Sequence, residues 1–179
     1  MICLVGESGS GKSVIERKLC ERHGLSRVIS YTTRPPREGE VNGVDYNFVS
    51  EDMFLQMERD GLFAETATFR DWHYGATIEH VMTKDVFVIE PVGLKKLLEN
   101  DSLNTKDLHV VYINVPERER MIRMLQRGDD VDEVMRRIHN DRETFKDVNE
   151  LADYCVYNRS HIDFAVDHVL GIFRMNRKD

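Results

Sequence analysis

The stretch Met1-Ile2-Cys3-Leu4-Val5-Gly6-Glu7-Ser8-Gly9-Ser10-Gly11-Lys12-Ser13 decides how the rest of the chain is read. Five apolar residues make a short buried strand, and the helix-compatible segment Val14 to His23 follows. Between them stands Gly6-x4-Gly11-Lys12-Ser13, the spacing of a phosphate-binding loop in its proper strand-to-helix context. Glycines in such a turn allow positive φ and close backbone approach. Successive N–H groups then curl round a polyphosphate at the positive end of a helix. Lys12 would reach the β and γ phosphates, and the Ser13 hydroxyl would ligate Mg²⁺. The expected nucleotide-phosphate-binding run is Gly6, Glu7, Ser8, Gly9, Ser10, Gly11, Lys12, Ser13 and Val14.

Working outward, apolar β-branched runs recur at Ile2–Val5, Val28–Tyr31, Val86–Ile89, Val110–Val115 and Cys155–Tyr157. Helical patterns separate most of them: Lys12–Arg22, Glu51–Asp60, Thr77–Lys84, Gly93–Glu99, Glu117–Arg127, Asp132–Phe145 and Ile162–Phe173. Near-continuous apolar strands alternating with helices predict an α/β fold, a parallel sheet of P-loop type with helices on both faces. Ser50 is the expected N-cap of the second helix, and Gly61 its terminating residue. Residues 100–107 read as a polar loop or disordered tip. Thr32 to Trp72 interrupts the alternation, with Pro35, Pro36, Gly39 and Gly43 near its start and strand-like pieces at Tyr46–Val49 and Phe63–Phe69. It reads as an insertion with its own substructure. Gln126 to Asp132 reads as a flap between two helices. Insertions over a rigid sheet are where substrate sites concentrate.

The chain has 179 residues, which suits one domain with a real core. A net charge of -7 argues against nonspecific nucleic-acid binding, which needs a basic face, but leaves a small phosphate substrate open. No run of apolar residues is long enough for a membrane span. Cys3, Cys20 and Cys155, three and unclustered, fit buried thiols of a reducing cytosol better than disulfides or zinc. The histidines, His73 and His80 among them, show no helical metal-ligand pair.

The second strong signal is Ser30-Tyr31-Thr32-Thr33-Arg34-Pro35-Pro36-Arg37-Glu38-Gly39-Glu40-Val41-Asn42-Gly43-Val44-Asp45-Tyr46-Asn47-Phe48. Two arginines flanking two prolines form a stiffened guanidinium fork, and Tyr46 adds a phenolic donor. A monophosphate offers oxygens suited to such bidentate contacts. A solvated basic turn is the plainer reading of an isolated Arg-Pro-Pro-Arg.

This segment closely resembles the monophosphate-binding region of guanylate kinases, with the pattern S-x-T-T-R-x-x-R-x-G-E-x-N-G-x-D-Y-x-F. The likeness continues through Phe63-Ala64-Glu65, Tyr74-Gly75, the charged flap and Asp153-Tyr154, over nearly the whole chain. It implies a single domain over 1–179. The core would be 1–31, 83–126 and 138–179, the acceptor region 32–82 and the lid 127–137. Arg34, Arg37, Tyr46 and Tyr74 match positions that hold the GMP phosphate. Ser30 and Glu65 match positions that contact guanine, and Glu90 stands for a second base-contacting acid. Arg127 matches the lid arginine and Arg137 the arginine on the following helix. With Lys12 and Arg34 they form the implied catalytic set.

The physical logic agrees. Guanine offers N1–H and N2–H₂ side by side, a donor pair that one carboxylate accepts and that adenine lacks. Phosphoryl transfer spreads charge over the transferred group, so closing arginines supply most of the catalysis. Arg120, Arg123 and Arg127 share one helix face, and for Arg120 the expectation is a solvated charge.

The chain departs from the family pattern at three places. Ala76 replaces the hydroxyl that reaches guanine O6, Val88 replaces an acid near the metal shell, and Val92 replaces a glutamine. The implied activity is transfer of the ATP γ-phosphate to GMP or dGMP by a cytoplasmic enzyme, monomer or homodimer, with no nucleic-acid or membrane partner. One alternative is the same reaction on another (deoxy)nucleoside monophosphate. Another is a guanylate kinase-like module that binds phosphoproteins, against which the intact Lys12 and Ser13 speak.

Overall fold

The computed structural model describes residues 1–100, 103, 107–159 and 161–177. The order begins β1 (Ile2–Val5), α1 (Lys12–His23), β2 (Tyr31–Thr32), β3 (Asn47–Phe48), α2 (Glu51–Arg59), β4 (Phe63–Phe69), β5 (Trp72–Thr77) and α3 (Ile78–Thr83). It continues β6 (Val86–Val88), α4 (Pro91–Leu98), β7 (His109–Asn114), α5 (Glu117–Gln126), α6 (Val131–Thr144), α7 (Val148–Leu151), β8 (Tyr154–Tyr157) and α8 (Ile162–Asn176).

Strand alternation sorts the core into two layers. β1 lies inside a four-stranded parallel sheet of order β6-β1-β7-β8. Ile2 and Leu4 face one way, with Val111 and Ile113 beside them, against Ile15 and Leu19 of α1 and Val166, Val169 and Leu170 of α8. Cys3 and Val5 face the other way and pack with Phe87, Tyr112, Leu94, Leu97, Phe145 and Val148. Both faces are thus covered, as continuous apolar strands require. The loop after β1 therefore opens at the carboxyl edge of the sheet, where open α/β sheets bind ligands.

β2 to α3 build a second sheet of order β3-β2-β5-β4. The core strand expected over 28–31 does not form. Arg27 makes one parallel bridge to Val86 and Val28 N–H donates to Val86 O at 2.9 Å. The chain then leaves, because Asn47 Nδ2 donates to Ile29 O at 3.0 Å and Thr32 Oγ1 to His73 O at 2.9 Å, drawing it into the second sheet. β5 and α7 were not foreseen, and Thr77, expected to open α3, is instead its N-cap. Ser50 does cap α2, its hydroxyl accepting from Met53 N–H at 3.2 Å, and Gly61 follows at φ 68°. The tip expected over residues 100–107 lies for the most part outside the described residues.

Of the three thiols only Cys3 is buried; Cys155, on the edge strand β8, is exposed, which corrects that expectation. Among the described residues no helix is long and apolar enough to cross a membrane.

Candidate active site

The phosphate loop is shaped by what presses on it. A Cβ at Gly9 (φ 78°) would meet Arg120 O at 2.8 Å, and one at Gly11 (φ 95°) would meet Asn158 Nδ2 at 2.7 Å. Only glycine suits both backbone and space there. Ser10 N–H closes the turn on Glu7 O at 3.1 Å, while Ser10 O accepts from Asn158 Nδ2 at 2.8 Å. Among the described residues, no hydrogen bond engages the N–H groups of Gly9, Gly11, Lys12 or Ser13. These are the donors that a polyphosphate would take. Lys12 Nζ donates to Gly6 O, lies 3.4 Å from Glu7 O and stands 3.9 Å from Glu90 Oε1.

Arg34 is 5% exposed and already held in a fork: its Nη2 lies 2.8 and 2.9 Å from the two Glu40 oxygens, and its Nη1 donates to Pro35 O at 2.8 Å. Its guanidinium stands 5.5 Å from the centre of the Tyr46 ring, and Tyr46 meets Tyr74 edge-on at 6.0 Å. Arg34, Tyr46 and Tyr74 are thereby brought together. Arg37 is exposed, and its N–H donates to Glu40 Oε2 at 2.7 Å.

Glu65 owes its direction to a register shift between Phe63 and Glu65 in the β4–β5 pair. Such a bulge re-aims a side chain, and here Ala64 and Glu65 are buried in succession. The carboxylate reaches the first turn of α4, where a Cβ on Gly93 would be 2.7 Å from Glu65 Oε2. Burial pushes its pKa up to about 7, opposed by the Ala76 N–H and by Lys96. Ser30 is half-buried beside β2, on the same sheet as Glu65, and its carbonyl accepts from Asn47 N–H at 2.9 Å. Glu90 is the N-cap residue of α4, with its Oε1 3.9 Å from Lys12 Nζ. Ala76 is fully buried, and Val92 is exposed.

Arg127 and Arg137 both engage Asp129. Arg127 Nε donates to Asp129 Oδ1 at 3.0 Å and its Nη2 bonds Asp129 Oδ2. Arg137 Nη1 lies 3.5 Å from the same Oδ2, and its Nε donates to Glu133 Oε1 at 2.8 Å. Hydrogen bonds from Arg136 and Arg137 hold Glu133 down to about 2. α6 meets the β4–β5 hairpin tip, with Arg70 Nη2 3.9 Å from Glu133 and Arg136 5.8 Å from the Phe69 ring centre.

Arg120 overturns the expectation of a solvated charge. It is 4% exposed, with Asp141 Oδ2 3.0 Å from its Nη1. Arg123, on the same helix face, donates from Nη2 to Asn158 O at 2.6 Å, beside Ser10. The spacing of Arg120, Arg123 and Arg127 was the available signal; the counter-charges of Arg120, Glu7 and Asp141, come from distant segments and were not readable.

Among the described residues no three His, Cys, Asp or Glu side chains stand together as a metal cluster. Mg²⁺ keeps several waters and takes its other ligands from phosphates and one or two protein oxygens. The exposed Ser13 hydroxyl at the start of α1 fits that requirement.

A parallel sheet with a glycine-rich loop at its carboxyl edge, faced by a second sheet that carries an arginine-tyrosine cluster, defines a P-loop kinase. The chain belongs to the guanylate kinase family, whose model, described as guanylate kinase, matches residues 1–175. It is 33% identical over 189 residues to the guanylate kinase of Sphingopyxis alaskensis, covering 99% of this chain and 82% of that protein. It is 35% identical over 186 residues to that of Nitrobacter winogradskyi, covering 99% and 83%. The crystal structure of guanylate kinase from Anaplasma phagocytophilum shares the fold, with a TM-score of 0.69 at 21% identity, covering 100% of this chain and 86% of that one.

Proposed function

We propose that the chain transfers the γ-phosphoryl group of ATP to GMP or dGMP, giving ADP and GDP or dGDP. The observation that carries the reading is the complete phosphate loop, with unengaged N–H donors and Lys12 turned across it toward Glu90, in a member of this family. Gly6 to Val14 hold the ATP phosphates. Arg34, Arg37, Tyr46 and Tyr74 hold the acceptor phosphate, and Ser30, Glu65 and Glu90 line the base end. A phosphate oxygen of the acceptor attacks Pγ, the bond from Pγ to the ADP oxygen breaks, and no general base is required. Lys12 and Arg34, with Arg127 and Arg137 from the lid, stabilise the charge on the transferred group. Mg²⁺, held by Ser13, would neutralise β and γ oxygens. The working parts are a core of 1–31, 83–126 and 138–179, an acceptor region of 32–82 and a lid of 127–137. The enzyme acts on free nucleotides in the cytoplasm, as monomer or homodimer.

Incubation with ATP, Mg²⁺ and GMP, followed by ion-exchange chromatography, tests this. Equal yields of ADP and GDP support transfer; ADP without GDP would reduce the chain to an ATPase.

A further inference from the structure

The base of the phosphate loop is tied down by a buried polar network that the transfer mechanism does not use. Asp141, on α6, is 5% exposed. Its Oδ2 accepts the Ser8 N–H at 2.9 Å and its Oδ1 the Ser8 hydroxyl at 3.2 Å. The same Oδ2 lies 3.0 Å from Arg120 Nη1, which also reaches Ser8 O at 3.3 Å. Arg120 Nε donates to Val115 O at 3.3 Å, and its Nη2 stands 3.7 Å from Glu7 Oε1. Tyr112 on β7 donates to Glu7 Oε2 at 3.0 Å, and burial raises its phenol well above the usual value, so it stays a neutral donor. Loop, β7, α5 and α6 therefore meet at residues 7 and 8.

A buried charge cluster is a poor way to gain stability, because apolar side chains of similar volume hold helices together at least as well. What this cluster does that an apolar contact cannot is fix the orientation of one peptide. Ser8 N–H is held on Asp141, one residue before Gly9, whose own N–H is unengaged. We propose that Asp141 is a positioning residue for the donor site: it anchors the start of the phosphate loop to the helix that carries the lid arginine Arg137. This rests on the reading of the loop as the ATP phosphate site. Asp141 touches no substrate; it acts through Ser8.

The test uses the full chain with Asp141→Asn, Asp141→Glu and the double substitution Arg120→Met with Asp141→Leu, alongside Lys12→Ala. Asp141→Asn keeps the volume and removes the charge that Ser8 and Arg120 share. It should lower kcat/KM for ATP by roughly tenfold to a hundredfold, the scale of one charge-assisted hydrogen bond. GMP affinity measured without ATP should stay at the wild-type value, and Asp141→Glu should recover part of the loss. The double substitution removes both members of the Arg120–Asp141 pair and leaves Glu7 its hydrogen bond from Tyr112; the folded variant should show the same ATP-specific defect. Wild-type ATP kinetics in that folded variant, or an Asp141→Asn effect confined to the melting temperature, would overturn the inference. If Lys12→Ala meanwhile loses turnover, the reading of the loop survives that result. Wild-type kinetics in Lys12→Ala would overturn both.

Discussion

Lys12 Nζ stands 3.9 Å from Glu90 Oε1, and this contact joins the two ends of the cleft. Glu90 is the N-cap residue of α4, and three residues on, Gly93 lies under the Glu65 carboxylate. The phosphate loop and Glu65 are therefore linked through a single turn of helix.

Lys12→Ala should abolish most turnover while leaving the fold intact, since its ammonium lies in the loop and outside both core clusters. The loss falls mainly in kcat because the contact strengthens as charge develops on the transferred group. The expected drop is about 10²–10³, checked by steady-state rates at saturating ATP and GMP. A folded variant with near-normal kcat would remove Lys12 from the mechanism.

Arg34→Ala and Arg37→Ala should weaken GMP binding far more than ATP binding in separate titrations. Arg34 should matter more, because it is already fixed on Glu40 and stacked beside Tyr46, whereas Arg37 is exposed and must be recruited. Arg34→Lys should restore only part of the affinity, lacking the planar fork. Selective loss of ATP affinity would show the site map to be reversed.

GMP use should depend on pH through Glu65. Only the carboxylate form would accept both guanine donors, and burial pushes this group up to about 7. The value of kcat/KM for GMP should thus rise as pH rises through about 7 and fall below it, reporting the free enzyme. Glu65→Gln should lower GMP use and flatten the profile, because an amide presents its own NH₂ to one donor. An unchanged profile in Glu65→Gln would mean that another group titrates.

Stability should move the opposite way. Glu16, buried beside Arg27, is also pushed up to about 7, burial outweighing the arginine. Both Glu16 and Glu65 therefore bind more protons folded than unfolded between about pH 4.5 and 7, so folding stability declines as pH rises across that window. Glu133, Asp129 and Glu117 are held low by their arginines, so their contributions are lost only as pH falls below the normal carboxylate range. Urea unfolding at several pH values checks this, with Glu16→Gln removing part of the slope. Stability that climbs from pH 5 to 7 would contradict it.

What was legible in the chain was local. The strand, loop and helix of residues 1–23, the Ser50 cap and the Gly61 stop depend on neighbours in sequence, and their residue types announce them. The hidden features depend on distant partners. Arg120 looks like a solvated helix charge until Asp141, 21 residues away, is folded against it. The direction of Glu65 depends on a bulge, which alternation cannot show. β2 leaves the core sheet because Asn47 and His73 capture its flanks, and Asp129 gathers both lid arginines only once α6 has turned Arg137 back toward it.

The central claim is tested most directly by ATP-dependent turnover against a panel of ribo- and deoxyribonucleoside monophosphates. GMP and dGMP should be the favoured acceptors, with kcat/KM above AMP by roughly 10⁴, the scale on which a site built for a donor pair rejects a base lacking it. Ala76→Ser should widen that gap by about one hydrogen bond, roughly 0.5–1.5 kcal/mol. Preference for a pyrimidine monophosphate, or equal use of GMP and AMP, would contradict the assignment of Glu65 as the guanine-reading acid.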